Sequence, residues 1–169
     1  MNILFTCAGR RVALLEAFRR ALAELGVPGR LIAADLTAAS AAWHKADLGL
    51  AVPRADSEAY VPALLEAVRR HRVGLLVPLT DLDLLPLARR RDEFTAAGCT
   101  VMVGSEDAVA TCRDKARFAA RLEAAGVPTV TTCTLEQFRA RPFYPCFVKP
   151  LRGSAGVGAA AVRDDTQLA

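Results

Sequence analysis

The stretch FVKPLRGSAGVGAAAV (residues 147–162) leaves an apolar segment through Lys149 and Pro150, crosses a loop with three glycines in six residues, and turns apolar again. That order predicts two short strands joined by a tight loop, a hairpin-like flap. Two phosphate-cradling alternatives fail on its residues. A P-loop needs Lys-Ser or Lys-Thr after its last glycine at the start of a helix, whereas Gly158 is followed by Ala-Ala-Ala-Val. A dinucleotide fingerprint needs GxGxxG between strand and helix. The first turn, CAGRRV, has one glycine, and Asp35 alone does not complete the pattern. What remains is a flexible β-loop-β lid. Gly153, Gly156 and Gly158 admit positive φ and let backbone N–H groups approach a polyphosphate. Ser154 adds a hydroxyl donor, Arg152 a positive charge, and Lys149 a point charge at the end of the preceding strand. Taken alone, the loop reads just as well as a glycine-rich hairpin that binds nothing.

Upstream of the loop, apolar runs four to six residues long alternate with amphipathic stretches. Strands are predicted over 2–6 (NILFT), 30–34, 48–52, 73–78 and 99–103. Helices are predicted over 12–25, around 40–45, over 58–70 and near 84–97. In the first helix Leu14, Leu15, Phe18, Leu22 and Leu25 share one face, and Gly26 stops it. Strands apolar on both faces and separated by helices describe βαβ units in a parallel sheet. The first half is therefore an α/β, Rossmann-like, doubly wound domain. Ligands in such sheets gather at the carboxyl ends of strands, here residues 7–11, 35, 53–54, 80–83 and 104–105.

After residue 105 the rhythm changes. Helices over 106–111 and 114–125 lead to Gly126-Val-Pro-Thr, a short strand, a helix near 135–141, and then the glycine flap. This divides the chain into residues 1–108, the doubly wound domain, and 109–169, an incomplete α+β part.

The bulk composition excludes several classes. A net charge of +4 in 169 residues is too small to argue for nucleic acid, and the arginine pairs fall on solvated helix faces. No run of about 18 apolar residues could span a bilayer, and MNILFTCAGRR lacks a signal-peptide layout, so a cytoplasmic protein is expected. Five cysteines without a CxxC read as small buried hydrophobes in a reducing compartment. His44 and His71 lack partners at catalytic or metal-ligand spacing and read as surface residues. Trp43 reads as packing a short helix. Among 22 basic residues only Lys45, Lys115 and Lys149 are lysines, which makes each more informative.

Two of those lysines belong to one ordered set: Asp114-Lys115 at a helix start, Phe118, Leu122, Gly126-Val-Pro-Thr, then YPCFVKP, then RGSAGVG. This set resembles the ATP-grasp superfamily, and more narrowly its carbamoyl-phosphate-synthase-like members. The leading segments NILFTCAGRRV, AADLTAASAAWHKAD, VPRADSEAYVPALL, LLVPLTDLDLLPLA and CTVMVGS look like the pre-ATP-grasp domain of that family.

The resemblance implies an ATP-dependent carboxylate–amine or carboxylate–thiol ligase acting through an acyl phosphate, with ATP and Mg2+ as cofactors and a small carboxylate as substrate. By matching position it implies that Lys115 and Lys149 contact ATP, and that Arg152, Gly153, Ser154, Gly156 and Gly158 close over its phosphates. The family pattern resembles KPRxGSGSxGV. Here Leu151 replaces Arg, Ala155 replaces Gly, and Gly156 replaces Ser. The acidic magnesium ligands of the family lie downstream of this loop; Asp164 and Asp165 come too early and read as a turn or a helix cap. No metal ligand and no catalytic residue is assigned in this chain. The expectation is a chain that ends inside the ATP-grasp domain, a fragment or a half-enzyme, whose partner is a second copy or a missing C-terminal half. Alone it would bind ATP weakly and turn nothing over.

Candidate substrate residues are Arg10 and Arg11, at a helix N-terminus, and Asp81. The same arginines also read as a solvated cap, and Asp81 and Asp83 as helix-start carboxylates. A non-catalytic nucleotide- or metabolite-binding Rossmann-like module, with ligand at residues 7–11 and Asp35, is the alternative reading.

Overall fold

A computed structural model describes residues 1–153 and 156–168. The chain divides into two compact units, Met1–Glu106 and Asp107–Ala169.

In the first unit five parallel strands lie in the order β3-β2-β1-β4-β5: β1 (Asn2–Thr6), β2 (Leu31–Asp35), β3 (Leu48–Ala51), β4 (Val73–Pro78) and β5 (Thr100–Val101). The helices between them are α1 (Val12–Glu24), α2 (Ala41–Lys45), α3 (Tyr60–His71), α4 (Leu84–Arg89) and α5 (Arg91–Ala96). Strand order reverses between β1 and β4, so the loops after these two strands open a crevice at the sheet's carboxyl edge.

Alternation along the strands sends side chains to two separate cores. Leu4, Ile32, Ala34 and Leu76 pack with Tyr60, Leu64 and Val68 of α3 and with Phe94 of α5. Ile3, Phe5, Leu31, Ala33 and Val77 pack with Leu15 and Leu22 of α1. Phe18 closes the second core edge-on against Phe5, with ring centroids 5.1 Å apart. Because both faces are covered, the strands are apolar throughout.

Of the α1 face, Leu14 and Leu25 are exposed. Leu25 is the C-cap residue, past the last turn that faces the sheet, and Gly26 (φ 64°) lets the chain reverse. Gly26 N–H donates to Ala23 O, and Val27 N–H to Leu22 O, which satisfies the end carbonyls.

Several other expectations are corrected. The helix near 84–97 is two helices, broken at Arg90 (φ −114°, ψ 20°). The strand over 99–103 contracts to two residues paired with β4. Only Cys99 among the five free cysteines is buried, and Cys112 is exposed.

The second unit contains α6 (Glu106–Arg113) apart from its first residue, α7 (Lys115–Ala124), α8 (Leu135–Ala140), and an antiparallel pair, β6 (Cys146–Val148) with β7 (Ala160–Val162). The strand expected after Gly126-Val-Pro-Thr is not there; residues 127–134 form neither helix nor strand, and most of them are exposed. A short 3-10 helix (Asp165–Gln167) follows β7. Asp164 caps it by accepting from the N–H groups of Thr166 and Gln167, the capping role expected of this acidic pair.

Candidate functional site

In the second unit residues 149–159 connect the antiparallel strands β6 and β7. Gly153, Gly156 and Gly158 all have positive φ (142°, 74° and 71°). At Gly158 a Cβ would meet Pro150 Cγ at 2.9 Å, so the hairpin closes only with glycine there. Ser154, which completes the expected phosphate-binding set, lies outside the described residues.

The glycine loop starts against α7. Asp114 caps that helix, its Oδ1 accepting from Arg117 N–H at 3.0 Å. The Lys115 backbone N–H donates to Leu151 O at 3.2 Å. The Lys115 ammonium donates to Leu151 O and Gly153 O at 3.4 and 3.3 Å. Arg152 Nη2 stands 3.7 Å from Asp114 Oδ2.

Lys115 and Lys149 line one cavity of 620 Å³. Its other walls are mostly apolar: Val130, Leu135, Phe138, Phe143, Phe147 and Val148, with Thr131, Thr132 and Thr134. The wall is braced from behind. Phe138 meets Phe143 and Tyr144 edge-on at 5.3 and 5.5 Å, and α8 is held by a capping box between Thr134 and Gln137. The Tyr144 hydroxyl donates to Asp165, and that hydrogen bond, with partial burial, pushes its pKa up to about 12. An apolar chamber lined in part by two lysines suits a ligand that joins a flat apolar body to an anionic tail. Among the described residues no group of three or more His, Cys, Asp or Glu side chains gathers to hold a metal ion.

The crevice of the first unit carries the candidates Arg10, Arg11 and Asp81. Arg10 and Arg11 are exposed, and Asp81 is half-buried. Arg11 donates to Leu79 O at 3.3 Å and so ties the turn after β1 to the loop after β4. Asp35 is committed to the fold: its Oδ2 accepts from Gly9 N–H and its Oδ1 from Leu36 N–H, both at 2.9 Å. A carboxylate so engaged holds the turn after β1 against the end of β2.

The fully buried Asp83 has a role that its position in the sequence does not suggest. It stands at the N-cap of α4 but makes no side-chain cap. It accepts instead from the hydroxyls of Thr6, Tyr60 and Thr80. Burial, then the Asp83 charge, raises the pKa of Tyr60 far beyond the usual phenol value, so the phenol remains a donor. Cys7 (φ 50°) sits beside this cluster, its thiol pKa raised by burial and by Asp83. The one sequence signal was a carboxylate just after a buried strand.

Residues 3–102 match the PylC-like, N-terminal domain family. No curated protein matches the chain in sequence. Solved structures match over 99% of the chain. The ADP complex of N5-carboxyaminoimidazole ribonucleotide synthetase does so at TM-score 0.73 and 15% identity, with 42% of that protein covered. Rhizobium etli pyruvate carboxylase matches at 0.70 and 23%, with 16% covered. The biotin carboxylase domain of Hydrogenobacter thermophilus 2-oxoglutarate carboxylase, solved with MgADP, ADP and bicarbonate, matches at 0.67 and 21%, with 38% covered. At these identities the likeness is one of fold, and the chain spans less than half the length of each.

Proposed function

The chain belongs to the PylC-like N-terminal domain family, its first unit being the pre-ATP-grasp domain of ATP-grasp enzymes, and from that premise we propose that it binds ATP for a carboxylate–amine or carboxylate–thiol ligase. The observation that carries the proposal is that one cavity is lined by both Lys115 and Lys149 beside the glycines at 153, 156 and 158.

The chemistry is dominated by charge. ATP phosphorylates the carboxylate to an acyl phosphate, which an amine or thiol then attacks. Negative charge moves toward the leaving diphosphate, and fixed cations and N–H donors lower the barrier most where charge develops. Lys149 and Lys115 supply two such cations, and the apolar wall around Phe147 and Phe138 receives the base. Arg152, Gly153, Gly156 and Gly158 carry charge and N–H donors to the phosphates, as does Ser154 in the same proposal. Magnesium would screen the triphosphate, but among the described residues no group of three or more His, Cys, Asp or Glu side chains gathers to hold it. Arg10, Arg11 and Asp81 are proposed as carboxylate-substrate contacts in the first unit.

The test is Lys149→Ala with ATP binding followed by calorimetry. Losing one charge-assisted contact should weaken binding about tenfold or more. Unchanged affinity would overturn the proposal in favour of a binding module centred on the first unit's crevice.

A further inference from the structure

The cations at the entrance of the glycine loop already have partners. Asp114 is almost wholly buried, its side chain 8% exposed, and it uses its two oxygens separately. Oδ1 caps α7 through Arg117 N–H, and Oδ2 faces the guanidinium of Arg152. Lys115 meanwhile grips the same segment through its backbone N–H and its ammonium. Residues 151–153 are thus held against the start of α7 from both sides.

These partners differ in how they compete with a phosphate. Backbone carbonyls are neutral and yield the Lys115 ammonium readily to a polyanion. Asp114 is an anion and competes with the phosphate for Arg152. We propose that Asp114 is a positioning residue that latches residues 151–153 through Arg152 and sets nucleotide affinity by competing for that guanidinium. This inference rests on the nucleotide reading of the cavity and adds a restraint on it. Because Arg152 is 74% exposed, the latch is weak and sensitive to salt.

The experiment uses the full chain and the variants Asp114→Asn, Arg152→Gln and the double variant. Asn retains the helix cap while removing the charge. In nucleotide-free protein, amide hydrogen exchange at Lys115 reports docking of the loop, since that N–H is given to Leu151 O; the Arg117 amide reports the cap. Both single variants should speed Lys115 exchange about three- to fivefold at low salt, with Arg117 unchanged in Arg152→Gln. The double variant should go no further. Magnesium-free ATP should bind Asp114→Asn about three- to fivefold more tightly than wild type, a gain absent at 0.5 M salt and absent in the Arg152→Gln background. Lys115 exchange unmoved in Arg152→Gln, or ATP affinity unchanged or weaker in Asp114→Asn, overturns the latch. If wild type binds no ATP, the nucleotide reading falls, and exchange alone decides the latch.

Discussion

The Tyr60 hydroxyl donates to Asp83 Oδ2 at 3.0 Å, joining the first turn of α3 to the start of α4 beneath the carboxyl end of β1. Thr6 and Thr80 complete the shell, so a fully buried carboxylate is met by three hydroxyls from three segments. The end of β1 and the loop after β4 are thereby tied to the start of α3 through one side chain.

Asp83→Ala leaves those hydroxyls without their acceptor and should cost about 3 kcal/mol, whereas Tyr60→Phe, which removes one donor of three, should cost about 1 kcal/mol. Trp43, the single tryptophan, lies in the first unit, so urea unfolding followed by its fluorescence measures both. Equal costs would contradict a shared anchor.

Gly49 on β3 passes directly under the Trp43 ring, where a Cβ would come within 2.2 Å of Cε2. Gly49→Ala should destabilise the first unit by about 1–3 kcal/mol and shift the Trp43 emission. Adding Trp43→Leu should restore part of the loss, read by circular dichroism.

Asp47 ties α1 to β2, accepting from Arg19 Nη1 at 2.8 Å and from Leu31 N–H at 2.7 Å. Partial burial raises its pKa, but the Leu31 N–H and the Arg19 guanidinium more than reverse this and hold it below the usual carboxylate value. A depressed folded-state pKa means stability that is present above the unfolded value, near 3.9, and lost as pH falls through the folded one. Asp47→Asn should cost about 1 kcal/mol at pH 7. The gap to wild type should close below about pH 4. A gap independent of pH would show that the carboxylate's charge is not what matters.

Cys99 is buried and its thiol is pushed up to about 11 by burial, while Cys112 is exposed on α6. Alkylation at pH 8 should modify Cys112 first. Cys99 should react roughly a hundredfold more slowly than a free thiol, since the thiolate is the nucleophile. Peptide mass mapping over time gives the order, and early labelling of Cys99 would contradict its burial.

How far the sequence could be read depended on the range of the forces involved. Strand and helix positions follow from side-chain periods of two and 3.6, set by neighbours a few residues away, so β1, α1, α3 and β4 fall within two residues of their predicted ends. Where pairing with another segment decides the outcome, reading failed. Residues 127–134 have strand-like composition without a strand, and β5 keeps only the two residues that β4 reaches. Arg90 breaks a helix whose pattern runs unbroken.

At the candidate site, the Asp114-Lys115 step, Lys149 and the glycine loop were legible because their order along the chain resembles a known pattern. Sequence alone determined that this chain alternates strands with helices and carries a lysine-flanked glycine turn, since local sterics and apolar spacing suffice for both. Only tertiary structure decided that Lys115 and Lys149 share one chamber, that Asp35 serves its own turn, and that Asp83 anchors three hydroxyls. Apart from the neighbouring Thr80, those relations join residues 23 to 77 positions apart, and no local preference encodes which distant side chain a buried charge will meet.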